Sequence, residues 1–213
     1  MNKALREHLL KLASEKISNE DPSHDLEHAL RVLANAERIA EEENADLDII
    51  IPAALFHDLI NHPKNDPRAK HSSDESAEET RLLLEGIETY PKAKIKDVVY
   101  AIKTCSFPKR IVPDTLEAKI LQDADGLEAT GAISIMRTFS STGSMKRLLY
   151  DKEDPFCERR QPESLQYGLD LFYSRLLVVK DRMHTKTGKK IAERRTWFLR
   201  AFLDELRLEI EGR

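Results

Sequence analysis

Along most of the chain, apolar residues recur every three or four positions, and no run alternates strictly as a half-buried strand would. Leu5, Leu9, Leu12, Ala13 and Ile17 predict a first amphipathic helix, closed by the polar, proline-bearing stretch that follows. Ser23 or Asp25 can cap a second helix, whose apolar side is Leu26, Ala29, Leu30, Leu33, Ala36 and Ile39. Asp46 or Asp48 opens a third, with Pro52 expected near its first turn and Pro63 and Pro67 marking the loop beyond. Ser72 and Glu75 read as a capping box for a fourth helix that reaches about Glu85 and stops at Gly86. Pro91 begins a fifth, lined by Ile95, Val98, Val99 and Ile102 and ended at Ser106-Phe107-Pro108.

Residues 115–130 predict a sixth helix with Leu116, Ile120, Leu121 and Leu127 on its apolar side. A short buried helix is expected over 132–136, and 140–144 reads as a flexible connection. Leu165, Leu169, Phe172, Leu176 and Leu177 predict one long helix starting at Pro162 and ending near 184–188. Trp197, Leu199, Phe202, Leu206 and Ile210 belong to a last one, where the aromatic residues are expected in a core. With neither repeat nor linker, the expectation is a single-domain, all-α fold over residues 1–213.

Composition narrows the function classes. The 213 residues suffice for one substantial core, and 34% charged against 40% hydrophobic residues is far from the regime of disorder. A net charge of -4 argues against a general nucleic-acid binder. No apolar run approaches the ~20 residues that cross a bilayer, and the charged first residues do not resemble a secretory signal. Cys105 and Cys157 are too few for a disulfide scaffold, so a cytoplasmic location with reduced thiols is expected.

The chemistry centres on Ala53-Ala54-Leu55-Phe56-His57-Asp58-Leu59-Ile60, where an apolar helix ends on an imidazole and a carboxylate side by side. A carboxylate in such company is normally satisfied by hydrogen bonds, a cation or a metal. Alone, the pair serves a helix end or a neighbouring cation as readily as a metal. Two further helices carry groups of the same type, His28 and Asp125. Two imidazoles and two carboxylates make a borderline-to-hard donor set, suited to manganese, iron, zinc, nickel or magnesium. Four ligands on an octahedral ion leave room for water and a phosphate oxygen. Asp25, three residues before His28, is a candidate partner for its imidazole, and Asp123 reads as a structural hydrogen-bonder. His24 and His28 have the spacing of half a zinc finger, but no paired cysteines complete one.

The order His28, His57-Asp58, Asp125 resembles the H…HD…D pattern of the HD-domain phosphohydrolase superfamily. The contexts Ser23-His24-Asp25-Leu26-Glu27-His28, Phe56-His57-Asp58-Leu59-Ile60-Asn61-His62-Pro63-Lys64, Gln122-Asp123-Ala124-Asp125 and Gly131-Ala132-Ile133 are similar to bacterial stand-alone HD hydrolases. The likeness extends to Asp154-Pro155-Phe156 and Thr185-Lys186-Thr187-Gly188. It implies a helical fold with a metal-site region over about 20–130 and C-terminal helices over about 160–211. It also implies a divalent-metal-dependent phosphohydrolase, a phosphomonoesterase or pyrophosphohydrolase, using metal-activated water on a nucleotide or related phosphate ester. His28, His57, Asp58 and Asp125 would then be metal ligands, with Asp58 also orienting the water. Competing functions for the same fold are a non-catalytic sensor of a phosphorylated ligand and a two-iron oxygenase.

Three positions depart from that pattern. Gly126-Leu127-Glu128 follows Asp125 where relatives often carry a basic residue, Cys105 precedes Ser106-Phe107 where they often carry His, and Asn61 stands where some carry an acid. Asn61 cannot be a general base. Lys64 and Arg68, in the loop after the metal pair, are candidate substrate-binding cations. Lys103, Arg137 and Lys186 are more distant ones, and His62 and His71 are expected at the surface.

Overall fold

The computed structural model describes every residue except 19–23, 63–65, 107–108 and 110. The expected cap at Ser23, the substrate contact at Lys64 and the stop at Phe107-Pro108 lie outside the described residues. Among those described there are α-helices and short 3-10 turns and no strand, only an isolated parallel bridge between Leu148 and Tyr167. The all-α class is as the periodicity predicts. The chain forms two compact units, Met1–Asp125 and Gly126–Arg213.

The first unit is built on α1 (Lys3–Lys16), α2 (Leu26–Glu43), α3 (Leu47–Phe56), α4 (Ser72–Gly86), α5 (Ile95–Cys105) and α6 (Leu116–Gly126). Asp25 is the N-cap of α2, its carboxylate accepting the His28 N–H at 2.8 Å. Asn44 ends that helix in the left-handed conformation at φ 58°, one of the few non-glycine residues suited to it. α3 lies at the centre, with every residue from Ile49 to Phe56 buried. Pro52 sits beyond the first turn of α3 rather than in it, so the Asp48 carbonyl lacks its usual i+4 N–H. The phenol of Tyr90, itself buried, donates to that carbonyl at 2.8 Å and supplies the missing bond. Tyr90→Phe is expected to cost about 1 kcal/mol by removing the bond to this half-buried carbonyl; urea denaturation measures it, and an unchanged midpoint would refute this role.

The expected capping box at the start of α4 does not form. Ser72 Oγ accepts from the His62 N–H at 3.2 Å, and Glu75 pairs with His62 Nε2 at 2.7 Å. Both side chains are turned onto the preceding loop, where the half-buried His62 N–H and imidazole take them as partners. At the other end of α4, the Lys92 ammonium donates to the carbonyls of Leu84, Glu85 and Ile87 at 2.8, 2.7 and 2.6 Å. A cation there offsets the helix dipole as well as satisfying orphan acceptors.

The second unit contains α7 (Gly131–Ser144), α8 (Asp170–Ser174) and α9 (Lys186–Ile210), with a 3-10 helix at Leu176–Arg182. Here the sequence expectation fails in three places. α7 runs through 140–144 instead of ending at 136, since Thr138 and Thr142 are buried and the Thr142 hydroxyl donates back to the Thr138 carbonyl at 2.8 Å. The long helix expected from Pro162 is absent; α8 has five residues. Gly168 and Leu169 give their N–H groups to the carbonyls of Leu148 and Leu149, both at 2.9 Å, so a helical ladder has no claim on them. The expected stop near 184–188 is instead a start: Thr185 caps α9, its hydroxyl accepting from the Gly188 N–H. Leu199 and Leu203 of α9 enter a core with Phe156, Leu169, Phe172 and Leu176, while Trp197 is 71% exposed. The core stripe is thus set one turn position away from the tryptophan. Phe202 stacks on Phe172 with centroids 5.6 Å apart.

Candidate metal centre

The carboxyl end of α3 brings His57 to the junction where its helix stops. Its Nδ1 donates to the Ala54 carbonyl at 2.9 Å, and since a carbonyl only accepts, this ring nitrogen carries the proton. Nε2 is therefore the ring atom left to meet other groups. That atom is buried and makes no hydrogen bond among the described residues. It points at two carboxylates, Asp58 Oδ2 at 3.5 Å and Asp125 Oδ1 at 3.9 Å.

His28, in the first turn of α2, meets the same two groups: its Nε2 lies 3.6 Å from Asp58 Oδ2 and 3.7 Å from Asp125 Oδ1. Ligand atoms of His28, His57 and Asp125 all fall within 4.8 Å of one another. His28, His57 and Asp125, up to 97 residues apart along the chain (28 to 125, counted from the numbering), thus converge, and Asp58 stands beside them within 3.6 Å of both imidazoles. The imidazoles form a closed back, 1% and 2% exposed, and the carboxylates of Asp58 and Asp125 form an open side at 33% and 32%.

A buried imidazole nitrogen that faces two carboxylates without a hydrogen bond is costly unless a cation sits between them. The residues present therefore fit a divalent ion. Burial pushes the Asp58 carboxyl up, but the imidazoles of His57, His28 and His24 outweigh it and hold it well below the usual carboxylate range. The segment after the pair is pinned from α4: Ser76 Oγ, fully buried, accepts from the Ile60 N–H at 3.0 Å and donates to the Ile60 carbonyl at 3.1 Å. Gln122 anchors α6 near Asp125 by donating to the carbonyls of Thr104 and Ile111 at 2.5 and 2.8 Å.

The YpgQ protein of Bacillus subtilis (strain 168) is 34% identical to this chain over 200 residues, covering 92% of this chain and 89% of that one. The HD domain family matches residues 25–130, the stretch that holds all four converging residues. The chain belongs to the HD-domain family. Its fold is that of an HD-superfamily hydrolase from Bacillus thuringiensis, at a TM-score of 0.76 and 27% identity, with 99% of each chain covered. A crystal structure of B. subtilis YpgQ in complex with ADP aligns at a TM-score of 0.74 and 30% identity, covering 98% of this chain and 96% of that one.

Other sequence candidates stand differently around this HD-domain centre. Asp25 serves the His28 backbone as a helix cap. Asp123 is buried, as befits a structural group. Arg68 forks onto Asp66, Nε at 3.1 Å and Nη2 at 2.7 Å, and is 67% exposed. That pair holds the Asp66 carboxyl down at about 2. His62 is engaged with Glu75. His24, set aside with the zinc-finger spacing, lies beside the cluster, its Nε2 3.8 Å from Asp58 Oδ2 and its ring edge-on to His28 at 5.7 Å. The available signal was its place in the chain, immediately before the Asp25 cap of the helix that carries His28.

Cys105, at the end of α5, is buried, and burial together with the carboxylates of Asp125 and Asp58 pushes its thiol well above the ordinary range. The Cys157 thiol is pushed up to about 11, by burial first and then by Asp170. Because the thiolate is the reacting form, iodoacetamide at pH 8 is expected to leave Cys105 unmodified in the folded protein and to modify it after unfolding. Rapid alkylation of Cys105 in the native state, read by peptide mass spectrometry, would contradict this.

Proposed function

We propose that this HD-domain protein is a divalent-metal-dependent phosphohydrolase acting on a nucleotide or related phosphate ester. His28, His57, Asp58 and Asp125 would hold the ion. The observation that carries the reading is the buried Nε2 of His57, fixed by the Ala54 carbonyl and aimed with His28 at two carboxylates. A divalent ion supplies polarisation of a phosphoryl group and a lowered pKa for bound water. The Ala54 carbonyl orients the His57 ring, the Ser76 hydroxyl steadies the turn beyond Asp58, and the ionised Asp58 accepts a hydrogen bond from the attacking water. The open side formed by the two carboxylates is where a phosphate would enter. Nucleotide as the substrate class is supported by the ADP complex of the YpgQ relative.

The test is to strip the protein with a chelator, reload it with manganese or magnesium, and follow phosphate and pyrophosphate release from nucleoside mono-, di- and triphosphates. Turnover that needs the added ion and is lost in Asp58→Ala with the fold intact is the expected result. Metal-loaded protein that binds nucleotides without turning any over would replace this reading with a sensor.

A further inference from the structure

Resting on the phosphohydrolase reading, we infer that His24 is a phosphoryl-binding residue, donating from Nε2 to a non-bridging oxygen of the substrate beside the metal centre. Three imidazole nitrogens surround one oxygen, Asp58 Oδ2: His57 at 3.5 Å, His28 at 3.6 Å and His24 at 3.8 Å. They are not equivalent. His28 and His57 also face Asp125 and are sealed from solvent, whereas the His24 side chain is 20% exposed and lies on the Asp58 side. His24 thus belongs to the open side of the cluster, among the groups an incoming molecule meets.

The charge pattern there calls for a donor. Two carboxylates on the open side repel a phosphate, and an N–H beside Asp58 would offset that repulsion where the anion arrives. Two positions from which the sequence could have offered a cation do not supply one. Gly126 follows Asp125 and brings no cation, and the Arg68 fork is filled by Asp66. His24 is also positioned from both neighbours in the fold: the adjacent Asp25 is tied to the His28 N–H, and the His24 ring stands edge-on to His28.

The probe is methylenediphosphonate, a non-hydrolysable pyrophosphate analogue, titrated calorimetrically into the manganese-loaded protein, with metal content and nucleotide turnover measured in parallel. His24→Ala is expected to keep its metal and to bind the probe about 10–100-fold more weakly, the loss of one hydrogen bond to a charged group. His24→Gln, whose amide nitrogen can occupy the Nε2 position, should recover part of that loss. Where the wild type turns over a nucleotide, the alanine variant should show the same weakening chiefly in KM. Loss of metal in both variants would make His24 a ligand and overturn the inference. Unchanged probe affinity in His24→Ala, or no binding of the probe by the wild type, would overturn it as well. Weaker probe binding in the variant, with no turnover by any form, would sustain the role of His24 while removing the hydrolase. Normal turnover with an unaltered KM would do the reverse.

Discussion

Asp125→Asn is expected to lose the divalent metal and, with it, phosphate release. The amide keeps the size of the carboxylate but removes the charge that His28 and His57 face at 3.7 and 3.9 Å. Loss of an outer partner of a metal ligand typically costs 10–100-fold, roughly, in metal affinity, so loss of an anionic ligand itself should cost at least about 100-fold. Turnover at fixed metal should fall by at least the same factor. The fold should survive, because the Asp125 side chain is a third exposed and the amide keeps its shape. A second readout separates metal from catalysis. A ligand that binds only the folded state at 100 times its Kd stabilises by about 2.7 kcal/mol. The wild type should therefore show a manganese-dependent rise in unfolding midpoint that the variant lacks. Full metal occupancy in Asp125→Asn would remove this residue from the proposed ligand set.

Asp170→Ala should be the most damaging change in the second unit. Asp170 is fully buried and accepts from Arg160 Nη1 at 2.5 Å, Arg160 Nη2 at 2.9 Å and the Glu163 N–H at 2.6 Å. These bonds fold the 160–170 loop back on itself. The alanine would strand a mostly buried guanidinium and a backbone donor, which costs about 3–5 kcal/mol. Urea denaturation followed by circular dichroism measures it, and a loss below about 1 kcal/mol would show that the loop finds other partners. The pH dependence has a definite sign. Burial raises the Asp170 carboxyl, but the Arg160 guanidinium and the Glu163 N–H outweigh it and leave it below its ordinary value. A carboxylate with a depressed folded-state pKa stabilises above its unfolded value of about 3.9 and loses that contribution as pH falls through the depressed value. The wild type should hold this contribution from neutral pH down to about pH 4 and lose it below. Asp170→Asn, already neutral, should show a flatter acid limb.

The candidate centre was more legible than the helices around it. His28, His57-Asp58 and Asp125 could be read because ionisable groups in apolar helices need partners and because their order resembles the H…HD…D pattern. Asp25 as the cap of α2 and Asp46 as that of α3 followed from local chemistry, since a cap bonds to residues two or three positions on. Ser72 and Glu75 carried an equally good local signal and lost it to His62, ten and thirteen residues away. The 160–177 segment shows the same competition on a larger scale. Leu169, Phe172 and Leu176 keep helical spacing and do reach the core, but Arg160 and the 148–149 carbonyls claim the polar groups that a long helix would use.

By itself, the sequence determined the all-α class, the central apolar α3 and the order of the groups that meet around His57. Periodicity and the cost of burying charge are local or pairwise rules that act on residue identity alone. Only the tertiary structure decided that Tyr90 replaces the N–H missing at Pro52, that Arg68 is occupied by Asp66, and that His24 stands at the open side beside Asp58. Each depends on which donor reaches a given acceptor first in three dimensions, and chain spacing does not encode that distance.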